Sequence, residues 1–213
     1  MHYKNEFFMR KVLGLAEKGR ETTSPNPMVG AVIVKDGKVI ASAYHRRPGG
    51  LHAEAIALRK AGYRAKGATL YVNLEPCAHF GRTPACTKAI IKSGIKEVFC
   101  SMIDPNPLNN GKGKKELERS RVKVRTGILA QEAARLNEVF IKYVTKKMPF
   151  VTIKVAESLD GKIATRTMDS RWITSDAARD YSHRLRSQMD AVLVGVNTIT
   201  RDDPVLTSRR NKS

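Results

Sequence analysis

Apolar positions recur along this chain in two rhythms, and the change from one to the other marks its elements. Over residues 5–19, Phe8, Val12, Leu15 and Ala16 fall at helical spacing, and Gly19 offers a stop. Residues 28–34 and 38–43 are apolar and β-branched, and Asp36-Gly37 between them predicts a hairpin. Residues 51–61 read as a helix that carries His52 and Glu54 in its first turn. A strand over 68–74, a loop over 75–84, a short helix over 85–93 and a strand over Glu97–Met102 follow. Pro105 and Pro107 in Asp104-Pro105-Asn106-Pro107 exclude regular structure there. A helix over Lys112–Arg119, a strand over 122–126 and a helix from 130 to about 143 complete the series. A hairpin first, then alternating strand and helix, predicts a central mixed sheet with helices on both faces.

A boundary is expected near Lys146-Lys147-Met148-Pro149, giving domains at 1–147 and 148–213. Beyond it the pattern predicts a strand over 150–156, a helix over 175–189 with Ser175 as N-cap, and a strand over 191–196. The last six residues, from Ser208, are polar and read as a frayed tail. Two strands and one helix do not enclose a core of their own.

Hydrophobic content of 41% with 28% charged residues belongs to a globular chain and excludes a disordered one. No basic-then-apolar signal opens the sequence, and no apolar run reaches the roughly 20 residues that cross a bilayer, so the expectation is a soluble, cytoplasmic protein without a membrane partner. The net charge is +19, of which residues 1–149 carry +16 and residues 150–213 carry +3. Seven basic residues lie between Lys112 and Arg125. Such a field attracts anions, either nucleic acid or a phosphorylated small molecule, or simply aids solubility. The three cysteines, Cys77, Cys86 and Cys100, are too few for a disulfide framework and point to metal binding or catalysis.

Two of those cysteines stand in a recognisable constellation: His52-Ala53-Glu54, then Pro76-Cys77 and Cys86. Zinc deaminases use H-x-E followed by P-C-x-x-C, with His and two Cys on the metal and Glu moving protons. Three protein ligands are the catalytic count, because a structural zinc site closes with four. Glu54, two residues beyond His52 at a helix start, reaches the same cavity, takes a proton from water and passes it to the ring nitrogen and then to the departing ammonia. Eight residues separate Cys77 from Cys86 where the general signature has two, so a structural zinc site remains the alternative. Cys100, at the end of an apolar strand, reads as a buried core thiol.

The long Cys77–Cys86 segment, Glu-Pro-Cys-Ala-His-Phe-Gly-Arg-Thr-Pro-Ala-Cys, resembles the motif of the bifunctional deaminase–reductase family of riboflavin biosynthesis. Ser24 through Gly30, His45 through Glu54, Asp104 through Pro107 and Gly111-Lys112-Gly113 are similar to that family too. The resemblance implies a cytidine-deaminase-like three-layer α/β/α mixed sheet followed by a partial dihydrofolate-reductase-like α/β segment. It implies zinc on His52, Cys77 and Cys86, with Glu54 as the catalytic group. The implied substrate is 2,5-diamino-6-ribosylamino-4(3H)-pyrimidinone 5′-phosphate, contacted by Asn26, His45, His79 and Arg82. Read from the residues alone, Asn26 between two prolines also suits a turn, His45 packing against the hairpin, and Arg82 a solvated surface.

The likeness continues past Pro149, through Ser158-Leu159-Asp160-Gly161-Lys162, Trp172-Ile173-Thr174 and Asp202-Asp203-Pro204. It implies NADPH contacts at Ala156, Trp172, Thr198 and Asp202, and reductase substrate contacts at Ser170, Arg186, Leu206 and Arg209. The family's reductase half runs on beyond the point where Ser213 stands, so the expectation is an incomplete, inactive reductase unless another chain supplies the rest. Such a half-domain leaves an open sheet edge and makes a homo-oligomer an open possibility. Two other classes compete: a tRNA adenosine deaminase, which shares His-x-Glu and Pro-Cys, and a zinc-stabilised nucleic-acid-binding module without activity. The length of the Cys77–Cys86 loop and the reductase-like extension count against the first, while the second predicts that Glu54→Gln keeps all function; nucleic acid is not the expected partner.

Overall fold

The computed structural model describes residues 2–81 and 84–209. The chain divides into two units, Met1–Phe150 and Val151–Ser213. The first is built on five strands, β1 (Gly30–Lys35), β2 (Lys38–Tyr44), β3 (Thr69–Leu74), β4 (Glu97–Met102) and β5 (Lys123–Thr126), in the order β2-β1-β3-β4-β5. β1 runs antiparallel to β2 and β3, whereas β3, β4 and β5 are mutually parallel. The hairpin joining β1 to β2 turns at Asp36 (φ 50°) and Gly37 (φ 76°), the left-handed pair that the Asp-Gly signal predicts.

Among the described residues six α-helices accompany the sheet: α1 (His2–Ala16), α2 (Ala53–Ala61), α3 (Cys86–Lys92), α4 (Lys112–Arg119), α5 (Ala130–Leu136) and α6 (Glu138–Lys146). The two-residue alternation of the strands sorts their side chains between two cores. Ala31, Ile33, Leu70, Val72, Val98 and Cys100 face one way, against Ala57 and Leu58 of α2, Ile90 of α3 and Leu117 of α4. Val32, Val34, Tyr71 and Phe99 face the other way, against Phe8, Met9 and Val12 of α1. Tyr71 and Phe99 stack at 4.9 Å on neighbouring strands, and the Tyr71 hydroxyl donates to Asn5 Oδ1 at 2.7 Å. Side chains such as Ile33, Leu70 and Ile90, wholly removed from water, each stabilise by about 1.5–3 kcal/mol. Cys100 lies in this core, where burial pushes its thiol up to about 12.

The continuous helix expected from 130 to about 143 is divided between α5 and α6 at Asn137 (φ −107°, ψ 21°). The reason lies in the side chain, which leaves the helix surface to hold another segment. Asn137 Oδ1 accepts the Met28 N–H at 2.8 Å, and its Nδ2 donates to the Met28 carbonyl at 3.0 Å. Asn73 grips the same stretch, donating to the Met28 carbonyl at 2.9 Å and accepting the Gly30 N–H at 2.8 Å. The segment that carries Asn26 into β1 is thereby fixed from two sides.

Within the second unit, α7 (Asp176–Arg186) begins as expected, with the Ser175 hydroxyl accepting the Ala178 N–H at 3.3 Å. It ends three residues short of the predicted 189. A second helix, α8 (Val196–Asp202), was not marked by the apolar pattern. The strands expected over 150–156 and 191–196 are not formed among the described residues. A strand exists only by exchanging backbone hydrogen bonds with a neighbour, and neither segment meets one. No described residue of this unit is buried. Across the described residues, no helix is long and apolar enough to cross a membrane.

A candidate metal centre at the start of two helices

Three donors from separated points of the chain converge beside the C-terminal end of β3. His52 is the N-cap residue of α2, in extended backbone (φ −68°, ψ 158°), and its side chain makes no capping bond. Cys77 lies in the loop after β3, and Cys86 opens α3. His52 Nδ1 is 3.5 Å from Cys77 Sγ and 3.3 Å from Cys86 Sγ, and all three donor atoms lie within 4.8 Å of one another. Zinc bonds of about 2.3 Å to sulfur and about 2.0 Å to nitrogen, meeting at a tetrahedral angle, put N and S roughly 3.6 Å apart. The observed spacing therefore fits a tetrahedral zinc site with three protein donors. The Cys86 N–H donates to Cys77 Sγ at 3.3 Å, and the Thr87 N–H to the Cys77 carbonyl at 3.2 Å.

The electrostatics suit a cation. The Cys77 thiol is pushed down to about 4, first by its hydrogen bond with Cys86 and also by that with His52, while Cys86, sharing the same proton, is pushed up. Thiolate is the form that binds metal. The hydrogen bond to Cys77 raises His52 above its usual range. Glu54 stands in the first turn of α2, 3% exposed, and meets the Cys86 thiol; burial raises its carboxyl above the ordinary range. A carboxyl so placed sits at the edge of the donor triangle, within reach of a group held there.

Asn26 and His45 stand together. His45 is buried; its Nδ1 donates to the Leu51 carbonyl at 3.1 Å, which leaves Nε2 as acceptor for Asn26 Nδ2 at 3.0 Å. Its ring meets that of His52 edge-on at 5.5 Å, and burial lowers its pKa. His79 is exposed on the loop after Cys77, and Arg82 lies outside the described residues. The donor triangle and Glu54 thus form one cluster, with the Asn26–His45 pair against it through His52.

The eight positions tied to a reductase all lie in the second unit. Trp172 packs beneath the Arg179 guanidinium at 4.2 Å. Arg186 closes α7 and donates to the carbonyls of Val205 and Thr207, on either side of Leu206, at 3.4 and 3.2 Å. Thr198 and Asp202 lie on α8. Ala156 is half-buried, while Ser170 and Arg209 are exposed.

Residues 2–102 match the cytidine and deoxycytidylate deaminase zinc-binding region, and residues 149–213 the RibD C-terminal domain. The riboflavin biosynthesis protein RibD of Aquifex aeolicus is 54% identical over 202 residues, covering 95% of this chain and 57% of that protein. The chain belongs to the RibD family. Among solved structures, RibD of Acinetobacter baumannii superposes with a TM-score of 0.95 at 43% identity, covering all of this chain and 60% of the other. A Thermotoga maritima protein described as a diaminohydroxyphosphoribosylaminopyrimidine deaminase and 5-amino-6-(5-phosphoribosylamino)uracil reductase superposes with a TM-score of 0.94 at 47% identity, covering 99% of this chain and 61% of that one. The chain thus spans a little over half the length of the RibD relatives it matches. Its N-terminal unit has the cytidine-deaminase-like fold of a zinc deaminase and brings a His/Cys/Cys site with it.

The pattern of residues had not pointed to Glu75, Asn73, Asn109 or Asn137. Each is buried and hydrogen-bonds backbone far away in sequence; Asn73 and Glu75 stand between apolar neighbours, whereas nothing in the local pattern marks Asn109 or Asn137.

Proposed function

We propose that the N-terminal unit hydrolytically deaminates 2,5-diamino-6-ribosylamino-4(3H)-pyrimidinone 5′-phosphate, giving the 5-amino-pyrimidinedione ribotide and ammonia. The observation that carries this reading is the buried Glu54 carboxyl at the rim of the His52, Cys77 and Cys86 triangle. The 47% identity to a Thermotoga maritima protein described by this deaminase activity supports the choice of substrate.

His52 Nδ1 and the two cysteine sulfurs would hold zinc. When bound, the metal lowers the pKa of water from 15.7 to about 7, so that a nucleophile is available at neutral pH. Glu54 would move two protons in turn: one from the attacking water to the pyrimidine nitrogen, and a second, from the hydroxyl formed on the ring carbon, to the amino group that departs as ammonia. Its burial keeps bulk water from competing for this proton. Asn26, turned by its bond to His45 Nε2, keeps its carbonyl oxygen for a donor on the ring. His79 and Arg82, on the loop between the cysteines, are the proposed phosphate contacts.

The test is ammonia release from this ribotide by zinc-loaded protein, with NADPH oxidation followed in the same reaction. Glu54→Gln should retain one zinc and lose about 10²–10⁴-fold in turnover, the usual worth of general acid–base catalysis. Unimpaired ammonia release by Glu54→Gln would remove Glu54 from the mechanism. No ammonia from zinc-loaded wild type would overturn the substrate assignment. For the second unit the expected result is no NADPH consumption, because none of its described residues is buried and the strands expected over 150–156 and 191–196 are not formed.

A further inference from the structure

The loop bearing Cys77 forms no regular structure among its described residues, yet the peptide groups on both sides of this cysteine are held by one distant side chain. The Ala78 N–H donates to Asn109 Oδ1 at 2.9 Å, and the Pro76 carbonyl accepts from Asn109 Nδ2 at a longer 3.4 Å. Asn109 is wholly buried, in the loop between β4 and α4. Its own backbone is fixed as well, the N–H donating to the Asn106 carbonyl at 2.9 Å and the carbonyl accepting from Lys112 at 2.7 Å.

The same segment is strapped to the cysteine segments at two further points. The Glu75 carboxylate accepts the N–H groups of Asp104, Gly111 and Lys114 at 3.1, 2.9 and 2.8 Å, which ties the strand end just before Cys77 to the start of α4. Glu116 of α4 accepts the hydroxyl proton of Thr87, the neighbour of Cys86, at 2.6 Å. At Gly113 a Cβ would stand 2.0 Å from the Pro76 carbonyl oxygen, so only glycine lets α4 come this close to the cysteine loop.

We infer that Asn109 is a positioning residue for Cys77, aiming its sulfur at the donor triangle by clamping the peptide groups before and after it. This rests on the metal reading of that triangle. A primary amide offers, on two separate atoms, both the acceptor needed by Ala78 and the donor needed by Pro76. Without the clamp the thiol samples directions that miss a shared centre, and metal affinity falls while the sheet stays intact.

The experiment compares wild type, Asn109→Asp and Asn109→Ala by zinc competition against a chromogenic chelator, by the visible spectrum of the cobalt(II)-loaded protein, and by melting of the metal-free protein. Asn109→Asp keeps the acceptor and loses the donor; Asn109→Ala loses both. The expected result is zinc bound about tenfold more weakly by Asn109→Asp and up to about 100-fold more weakly by Asn109→Ala, the range typical of residues that support metal ligands. The thiolate-to-cobalt band should weaken in the same order, with little change in the melting of metal-free Asn109→Asp. If Asn109→Ala does not fold, Asn109→Asp decides. Wild-type affinity and spectrum in Asn109→Asp overturn the inference. Wild-type protein that takes up no zinc overturns the metal reading on which it stands.

Discussion

The two units of this chain carry the same kinds of apolar residue and put them to different use. In Met1–Phe150, β-branched runs pair into five strands, and their alternating faces fill two cores. In Val151–Ser213, Val151, Ile153, Val155, Leu193 and Val196 stand exposed, and no strand forms among the described residues. Hydrophobic alternation thus states which face a segment would bury, but the ladder requires a neighbour with free N–H and C=O groups. The first unit supplies five strands joined in four adjacent pairs.

Amide hydrogen exchange tests this contrast most severely. Amides of β3 and β4 should exchange only through unfolding of the whole unit, at a cost of about 5–15 kcal/mol, while those of residues 151–155 should exchange at nearly free rates. Strong protection of 151–155 would erase the distinction. Next in size is a pair of truncations followed by denaturant unfolding. Leu70→Ala, wholly buried between two neighbouring strands, should cost about 2–5 kcal/mol. Leu193→Ala, fully exposed, should change stability by less than about 0.5 kcal/mol.

Asn137→Ala sharpens the comparison within the first unit. It leaves the half-buried Met28 N–H without its acceptor and should cost about 1–3 kcal/mol in the same measurement, with an added loss in substrate affinity if Asn26 shifts. A smaller effect than that of Asn137→Ala belongs to Ser175→Ala. Losing that cap should lower stability by about 1 kcal/mol, read as reduced helicity of α7.

What was legible in the sequence was what is local. The Asp36-Gly37 turn, the Ser175 cap and the order of strands and helices in the first unit follow from neighbours within a few residues. His52, Glu54, Cys77 and Cys86 stood out because metal chemistry restricts residue type. The break at Asn137 was not legible, since it depends on a backbone segment 109 residues away. The role of Asn109, which acts across 31 residues on a peptide group, was hidden for the same reason. Likewise the expected strands over 150–156 and 191–196 had the right residues, and nothing in their own pattern names the neighbour they need.

The position of β5 at the sheet margin gives part of the positive charge a purpose apart from ligands. Two sheets meeting margin to margin through antiparallel β5 strands centred on Val124 would set Lys123 of one copy opposite Arg125 of the other, twice over. Like charges placed directly opposite resist such a junction. The basic residues of this strand would thus disfavour one sheet templating the growth of the next, Lys123 more than Arg125, whose guanidinium pairs with Glu97 at 2.9 Å.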